Sequence, residues 1–287
     1  MSGASAIHMN LFGPHPIVVF GSEEQKRRFL PPLINGSERT CFGVTEPDAG
    51  LNTTALETRA RRQGDHYVIN GRKMWTTTAQ TATHIMLITR TTPLAECKKP
   101  TDGLTLFYTP LDRKSIEVRR IPKMGRAAVD SNALFIDNLI VPEENRIGEE
   151  GDGWRCLLHG LNPERILVAA EAVGIGQCAI DKAANYARER VVFDRPIGQN
   201  QAIAHPLAEC WMALEAAWLM VLSAAWQYDN GQPAGAAANA AKYLAGEAGF
   251  HACETAVMTH GGFGYAREFH VERYLREVMI PRIAPVS

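Results

Sequence analysis

Residues 67–80 read YVINGRKMWTTTAQ, and this stretch defines the middle of the fold. Alternating apolar residues lead into Asn70-Gly71, the strongest short-range signal for a β-hairpin because both turn positions favour positive φ. The predicted return strand carries Trp75, followed by the threonines at 76–78. These residue types favour strands, so the run is compatible with a tryptophan that caps a core. The alternative is that an aromatic wall beside a row of hydroxyls contacts a flat ligand with polar edges.

Composition restricts the class of protein. The chain has 287 residues, of which 46% are hydrophobic and 21% charged, enough for two or more packed domains. The net charge of −1 argues against a nucleic-acid-binding protein. Six cysteines occur without paired C-x-x-C spacing, so we expect reduced thiols and no metal site.

No segment has the pattern of a secretion signal, and none has both the length and the apolar composition that a membrane-spanning helix needs. The start of the chain, MSGASAIHMNLFGPH, lacks a charged region followed by an apolar one. The most apolar run, residues 211–226, is short for a span and contains Glu215. We therefore expect a helix inside a bundle or at an oligomer interface. The expected location is the cytoplasm of a bacterium or the mitochondrial matrix of a eukaryote.

The residue pattern of the sequence changes at two points, and the order of the three patterns predicts an α+β fold. Residues 1–39 are helical in pattern, with a Ser22-x-x-Gln25 capping signal and a Pro31-Pro32 stop. Residues 40–152 alternate short β-rich runs with turn residues, which predicts an antiparallel β domain. Residues 153–287 predict a helical bundle domain, with further helical runs at 200–229 and 234–259 and an extended end from Met279.

Four segments, in this order, resemble motifs of the acyl-CoA dehydrogenase family of flavoproteins. They are CFGVTEPDAG (41–50), GDHYVINGRKMWTTTA (64–79), RERVVFDRPIGQNQAI (188–203) and MTHGGFGYAREFHVERYLRE (258–277). The resemblance implies the same order of helices, β domain and helical bundle. Family members begin with a fuller helical domain and end with a further helix. We therefore expect an incomplete N-terminal helical segment and apolar surface that the missing domain would cover.

The resemblance implies an FAD site in the β domain. Trp75 would lie against the isoalloxazine ring, and Thr77 would offer its hydroxyl to the edge near N5. Thr45 and the backbone of Val44 would bind the pyrimidine end. Threonines on strands supply donors at fixed positions, and each flavin acceptor left without one costs about 1–3 kcal/mol.

The resemblance also implies contacts with the FAD of a neighbouring subunit. Arg190 would meet the pyrophosphate, Gln201 would reach across the interface, and Phe193 would pack nearby. Gly261 and Gly262 would allow the backbone to approach the adenosine part.

Two residues depart from the family pattern at this cofactor. Met258 stands where a cofactor-binding glutamine is usual, and Leu51 stands where serine is common. Each change removes a polar contact, so we expect weaker FAD affinity.

The resemblance implies α,β-desaturation of an acyl thioester, which requires a carboxylate base for the α-proton. Pro285 occupies the position where most members carry that glutamate. A minority carry it on the helix after the β domain, just before an arginine, and Glu164 matches this position, with Asn162 and Arg165 expected to contact substrate. Alternatively, Asn162-Pro163-Glu164 is a helix start in which Glu164 is a first-turn acid whose pKa the helix dipole lowers.

The sequence therefore predicts an FAD-dependent acyl-CoA dehydrogenase. Its expected partners are an acyl-CoA substrate, an electron-transfer flavoprotein and further copies of itself, as a dimer or tetramer. Two alternatives remain. One is a flavin monooxygenase or oxidase of the same fold, and the other is a non-catalytic chain that binds CoA esters or a partner subunit.

Overall fold

The computed structural model describes residues 3–4, 7–9 and 13–284. The chain divides into two compact units, Met1–Lys123 with Ala127–Leu161, and Met124–Arg126 with Asn162–Ser287. This differs from the predicted division at 39 and 152. The N-terminal helices belong to the same unit as the sheet, and the long helix that follows the sheet contributes residues to both units.

Two short helices open the first unit, α1 (His15–Phe20) and α2 (Glu23–Ile34). The predicted capping box is present, because the Gln25 N–H donates to the Ser22 hydroxyl and the Ser22 N–H donates to the Gln25 side chain. The predicted stop is wrong, since Pro31 and Pro32 lie inside α2. Both prolines fall in its last turn, and their carbonyls still accept hydrogen bonds from Asn35 and Glu38.

An eight-stranded sheet forms the rest of this unit. Its strands are β1 (Thr40–Gly43), β2 (Arg59–Gln63), β3 (His66–Thr77), β4 (His84–Arg90), β5 (Leu104–Pro110), β6 (Ile116–Arg120), β7 (Ser131–Pro142) and β8 (Arg146–Ile147). The order is β6-β7-β3-β2-β4-β5-β8, with β1 also paired to β4. All neighbours are antiparallel except β1–β4 and β2–β4. The predicted α+β class with an antiparallel β domain is confirmed.

The predicted hairpin at Asn70-Gly71 is wrong. Both residues lie within β3, which runs on for 12 residues, and the turn that joins β2 to β3 is Gly64-Asp65. Gly71 is needed for a different reason, because a Cβ there would lie 2.6 Å from the Thr58 Cα. A register shift against β7 accompanies this close approach. The glycine therefore marks a bulge and a backbone contact, not a turn.

A lysine and a glutamate pair inside the first unit. The Lys73 side chain is fully buried on β3, and its Nζ lies 2.8 Å from Glu46 Oε1. Burial lowers the pKa of Lys73 to about 8. Burial opposes ionisation of Glu46, but Lys73 and the backbone N–H groups that the carboxylate accepts lower its pKa overall.

The second unit is helical apart from one short hairpin. Its elements are the later part of α3 (Gly153–Glu189), β9 (Val191–Val192), β10 (Arg195–Pro196), α4 (Gln201–Asp229), α5 (Gly235–His260) and α6 (Val271–Ile283). Small residues let the helices pack closely, and a Cβ on Gly249 of α5 would lie 2.6 Å from the carbonyl oxygen of Ala172 on α3. The predicted extended end is wrong, because α6 continues through Pro281 to Ile283. The close approach of Gly246 to the Pro281 carbonyl holds that last turn against α5.

Helix α4 has one buried and one exposed apolar face. Its buried face carries Cys210, Leu214, Ala217, Val221 and Ala224. Its exposed face carries Trp211, Met212, Leu219, Leu222 and Trp226. By length and composition alone this helix could cross a membrane, a test that the core helix of a bundle also passes. We call the exposed residues the α4 apolar face.

We expect Gly71→Ala to lower the free energy of unfolding of the first unit by about 1–3 kcal/mol, because the new Cβ overlaps Thr58. Denaturant unfolding followed by circular dichroism measures the change. Gly50→Ala is the matched control, since no atom lies within 4 Å of a Cβ there. Equal stability of the two variants would contradict the close approach.

Candidate functional site

A bulge in β3 turns Trp75 out of the core. The register against β7 shifts between Lys73 and Thr76, and both of these side chains are buried. Trp75 lies between them with φ of +62°, and its side chain is 56% exposed. A left-handed conformation costs a bulky residue about 1–3 kcal/mol and is typical of ligand-binding sites. The prediction that Trp75 caps a core is therefore wrong, and the indole is presented outward.

Of the three threonines after Trp75, only Thr77 combines an unengaged hydroxyl with partial exposure. The Thr76 hydroxyl is buried and has no hydrogen-bond partner among the described residues, and the Thr78 hydroxyl donates to the Thr77 carbonyl. Thr77 is half-buried, and the structure records no hydrogen bond from its hydroxyl to any described residue. The predicted row of donors is thus reduced to Thr77, because the bulge changes which side chains face outward.

The segment Val44–Thr45 lies directly beside the start of this bulge. The Met74 N–H donates to the Thr45 carbonyl at 2.8 Å, and Lys73 Nζ donates to the Val44 carbonyl at 3.0 Å. No hydrogen bond from the Thr45 hydroxyl to another described residue is recorded. The structure therefore brings Val44 and Thr45 alongside the residues that precede Trp75, although 27 or more residues separate them in sequence.

The second unit contains a groove of about 640 Å³ with a cation at its wall. Arg190 lines it, and its guanidinium lies 5.5 Å from the centre of the Phe263 ring. Gly261 and Gly262 also line it, and no atom lies within 4 Å of a Cβ built on either. Gly261 has φ of +60°, which requires glycine there on conformational grounds.

The other two residues predicted for this part of the site lie outside the groove lining. Phe193 is at the tip of the β9–β10 hairpin, where both turn residues have positive φ, and its ring is 92% exposed. Gln201 is the exposed first residue of α4. Both positions are compatible with contacts to another molecule, and their roles stay predictions.

The sequence reasoning missed the aromatic wall of the groove. Tyr186 stacks on His260 with ring centres 4.3 Å apart, and Phe269 packs against both rings. His260 Nδ1 lies 2.7 Å from the Ala256 carbonyl, and burial lowers its pKa, which favours the neutral ring. Tyr186 precedes Arg190 by four residues on α3, so helical spacing could have revealed it.

These features fit a flat cofactor with a phosphate-bearing tail. In the first unit, an outward indole and two unengaged hydroxyls suit a planar ring with polar edges. In the second unit, a guanidinium beside two bare glycines and an aromatic wall suits a pyrophosphate and an adenosine. The residues present therefore fit FAD. Met258 and Leu51 are both exposed, and the weaker affinity expected from them stays a prediction.

Glu164 lies in the interior of α3. The helix begins at Gly153, so Asn162 is not an N-cap and Pro163 is not the first helical residue. The capping alternative is wrong, because the glycine-rich turn before Trp154 already starts the helix. Glu164 therefore lies outside the first turn of α3, where the charge of a helix N-terminus acts.

Arg165 has an unsatisfied donor beside this glutamate. Its Nη1 donates to Asn162 Oδ1 at 3.0 Å, whereas its Nε is buried and has no acceptor among the described residues. Burial lowers the pKa of Arg165, and the negative charge of Glu164 opposes that shift. The three predicted residues therefore form one cluster that contains a carboxylate and a spare N–H donor. Pro285, at the usual position of the family glutamate, lies outside the described residues.

Comparison with known proteins gives the same family along the chain. Models described as the acyl-CoA dehydrogenase N-terminal, middle and C-terminal domains match residues 1–37, 41–139 and 151–285. The acyl-CoA dehydrogenase FadE12 of Mycobacterium tuberculosis is 37% identical over 280 residues, which cover 94% of this chain and 70% of that protein.

Solved structures share the fold. Butyryl-CoA dehydrogenase from Megasphaera elsdenii superimposes with a TM-score of 0.93 at 32% identity, covering 99% of this chain and 74% of the other. The FAD complex of PigA superimposes with a TM-score of 0.92 at 26% identity, covering 98% and 73% of the two chains. The chain therefore belongs to the acyl-CoA dehydrogenase family, whose enzymes are flavoprotein oxidoreductases that use FAD.

Proposed function

We propose that the protein desaturates an acyl-CoA thioester between its α and β carbons, with Glu164 as the base. The single observation that carries this assignment is the position of Glu164 inside α3, more than two turns beyond the start of the helix. The carboxylate is half-buried and lies outside the first helical turn. The match to the minority family motif supports the same residue.

Glu164 removes the α-proton as the thioester gains enolate character, and general-base catalysis of this kind contributes about 10²–10⁴ in rate. FAD, when bound, would supply the two-electron acceptor for the β-hydrogen, which would leave the substrate as a hydride and transfer to flavin N5. Arg165 and Asn162 contact the substrate, and the Nε–H of Arg165, which is buried and has no acceptor among the described residues, would donate to it once the substrate is bound. A pre-placed donor of this kind stabilises developing negative charge without reorganisation.

The cofactor assignments follow the two parts of the site. Trp75 stacks on the isoalloxazine ring, Thr77 donates to its edge, and Val44 with Thr45 binds the pyrimidine end. The exposed indole and the unengaged hydroxyls of Thr45 and Thr77 support these roles.

The groove residues hold the tail of a second copy's FAD. We assign Arg190 to the pyrophosphate and Gly261 with Gly262 to the adenosine part, together with Phe193 and Gln201 at the interface. The groove volume, the positive charge and the exposed ring of Phe193 support this role.

The α4 apolar face supports a homo-oligomer, as a dimer or tetramer. Five large apolar side chains on one face of one helix form an exposed patch that is uncommon on monomeric proteins. A shared FAD site also requires that two copies assemble. The family resemblance implies an electron-transfer flavoprotein as the electron acceptor of the protein. Butyryl-CoA is the first substrate to test, because a solved relative is a butyryl-CoA dehydrogenase.

We expect Glu164→Gln to slow flavin reduction by an acyl-CoA substrate by about 10²–10⁴, because the amide cannot take the α-proton. Anaerobic stopped-flow recording of the flavin absorbance measures the rate, and FAD content is matched between samples. Glu254→Gln is the control, since this carboxylate is exposed on α5. Unchanged bleaching in Glu164→Gln would remove the assignment.

We expect Leu219→Arg to dissociate the assembly, because it places an unpaired charge in the centre of the α4 apolar face. Light scattering coupled to gel filtration measures the mass, and FAD retention falls with it if a second copy completes the site. Gln232→Arg adds the same charge at an exposed position after α4 and should leave the mass unchanged. An intact oligomer in Leu219→Arg would place the interface elsewhere.

A further inference from the structure

Three consecutive residues after β1, Val44–Glu46, accept hydrogen bonds from two consecutive residues of β3, Lys73 and Met74. The Val44 carbonyl accepts from Lys73 Nζ at 3.0 Å, and the Thr45 carbonyl accepts from the Met74 N–H at 2.8 Å. The Glu46 carboxylate accepts from Lys73 Nζ at 2.8 Å. One buried ammonium group thus supplies two of the three contacts.

The carboxylate that receives this ammonium is itself fixed by backbone. Glu46 Oε2 accepts from the Glu57 N–H at 2.6 Å, and Oε1 accepts from the Thr58 N–H at 3.0 Å. Thr58 is in turn held against β3, where its hydroxyl donates to the Arg72 carbonyl at 3.2 Å. Lys73 therefore bridges a rigid anchor and the Val44 carbonyl, so the position of residues 44–45 depends on it.

Stability alone does not explain the pair. A buried ion pair contributes little or nothing beyond what well-packed apolar residues of similar volume would contribute. An apolar residue at position 73, however, would leave the Val44 carbonyl without its donor, and buried polar groups are costly when unpaired. Together with the Met74 N–H, the lysine fixes the distance between β3 and the Val44–Thr45 backbone, and it is the donor to the Val44 carbonyl.

Resting on the flavin assignments of the proposed function, we propose that Lys73 is a positioning residue for FAD. It fixes the position of the Val44–Thr45 backbone, which is the segment assigned to the pyrimidine end of the flavin. Because Lys73 also begins the bulge that exposes Trp75, the same side chain links the indole and the hydroxyl of Thr45 into one surface. Without the ammonium group, the Trp75 indole and the Thr45 hydroxyl would no longer keep fixed relative positions, although the strand pairing of the sheet would remain.

The test compares Lys73→Met with Val141→Ala, a core substitution on β7 in the same unit that touches neither residue 44 nor residue 45. Apoprotein of each variant is titrated with FAD, and binding is followed by flavin fluorescence. We expect Lys73→Met to bind FAD about tenfold more weakly than Val141→Ala of equal or lower thermal stability, which corresponds to the loss of one or two hydrogen bonds. Affinities within twofold of each other would overturn the proposal.

A double variant separates positioning from stability. Lys73→Met leaves the Glu46 carboxylate buried without its cation, and Glu46→Gln removes that charge, so the double variant should recover part of the thermal stability. Recovery is partial because the glutamine amide has one oxygen for the two backbone N–H groups that the carboxylate accepts. The double variant still lacks a donor for the Val44 carbonyl, so its FAD affinity should stay low. Recovery of both properties together would show a merely structural role and overturn the proposal.

The flavin midpoint potential provides a readout that folding stability does not move. Donors at the pyrimidine end favour the reduced, negatively charged flavin, so their displacement in the double variant should shift the potential to a more negative value. An unchanged potential would contradict the proposal. Reduction of wild-type flavin by acyl-CoA is scored separately, so failure of the proposed function is distinguishable from failure of the role of Lys73.

Discussion

The buried contact between Lys73 and Glu46 is the constraint on which the first unit depends. A charged pair inside a β domain forces the chain around it to supply hydrogen bonds, and the backbone of Glu57 and Thr58 does so. That requirement fixes the segment after β1 against β3. The adjoining bulge then turns Trp75 outward in a strained conformation that a well-ordered neighbourhood must maintain. A flat binding surface is the consequence of a polar core contact.

Small side chains allow the helices of the second unit to pack closely around a core that also holds the Arg126–Glu171 ion pair. Alanine and glycine along α3 and α5 allow backbone to approach backbone, as at Gly249 and Ala172. Close packing leaves little room for large residues inside, and the large apolar residues of α4 are divided between a buried and an exposed face. The groove between α3 and the Gly261–Gly262 loop keeps its opening because neither glycine has a side chain to fill it.

Much of the fold was predictable from sequence because its motifs are local. The capping box at Ser22, the three long helical runs and the β texture of residues 40–152 all depend on short-range patterns. The errors arose where tertiary contacts override such patterns. Asn70-Gly71 has the signature of a turn, but the close approach of Thr58, 12 or more residues away in sequence, uses the glycine within a strand. Pro31 and Pro281 resemble helix stops, but last turns tolerate a missing N–H.

The residues of the candidate site came from motifs, and its geometry had no signal in the sequence. The family resemblance named Trp75, Thr77, Arg190 and Glu164, whose roles stay predictions, whereas the bulge that exposes the indole depends on pairing with β7. The burial of Lys73 had no sequence signal, because lysine is rarely buried and its partner lies 27 residues earlier in the chain. The change of residue pattern at 153 indicated the helix that begins at Gly153, and the alternative helix start at Asn162-Pro163 lies inside it.

The most direct test of the account is an anaerobic titration of the FAD-loaded protein with saturated acyl-CoA thioesters, beginning with butyryl-CoA and increasing in chain length. The account predicts that at least one thioester bleaches the visible flavin absorbance in proportion to the amount added, with formation of the α,β-unsaturated product. An oxidised flavin that no member of the series reduces, in protein that dithionite reduces fully, would contradict it.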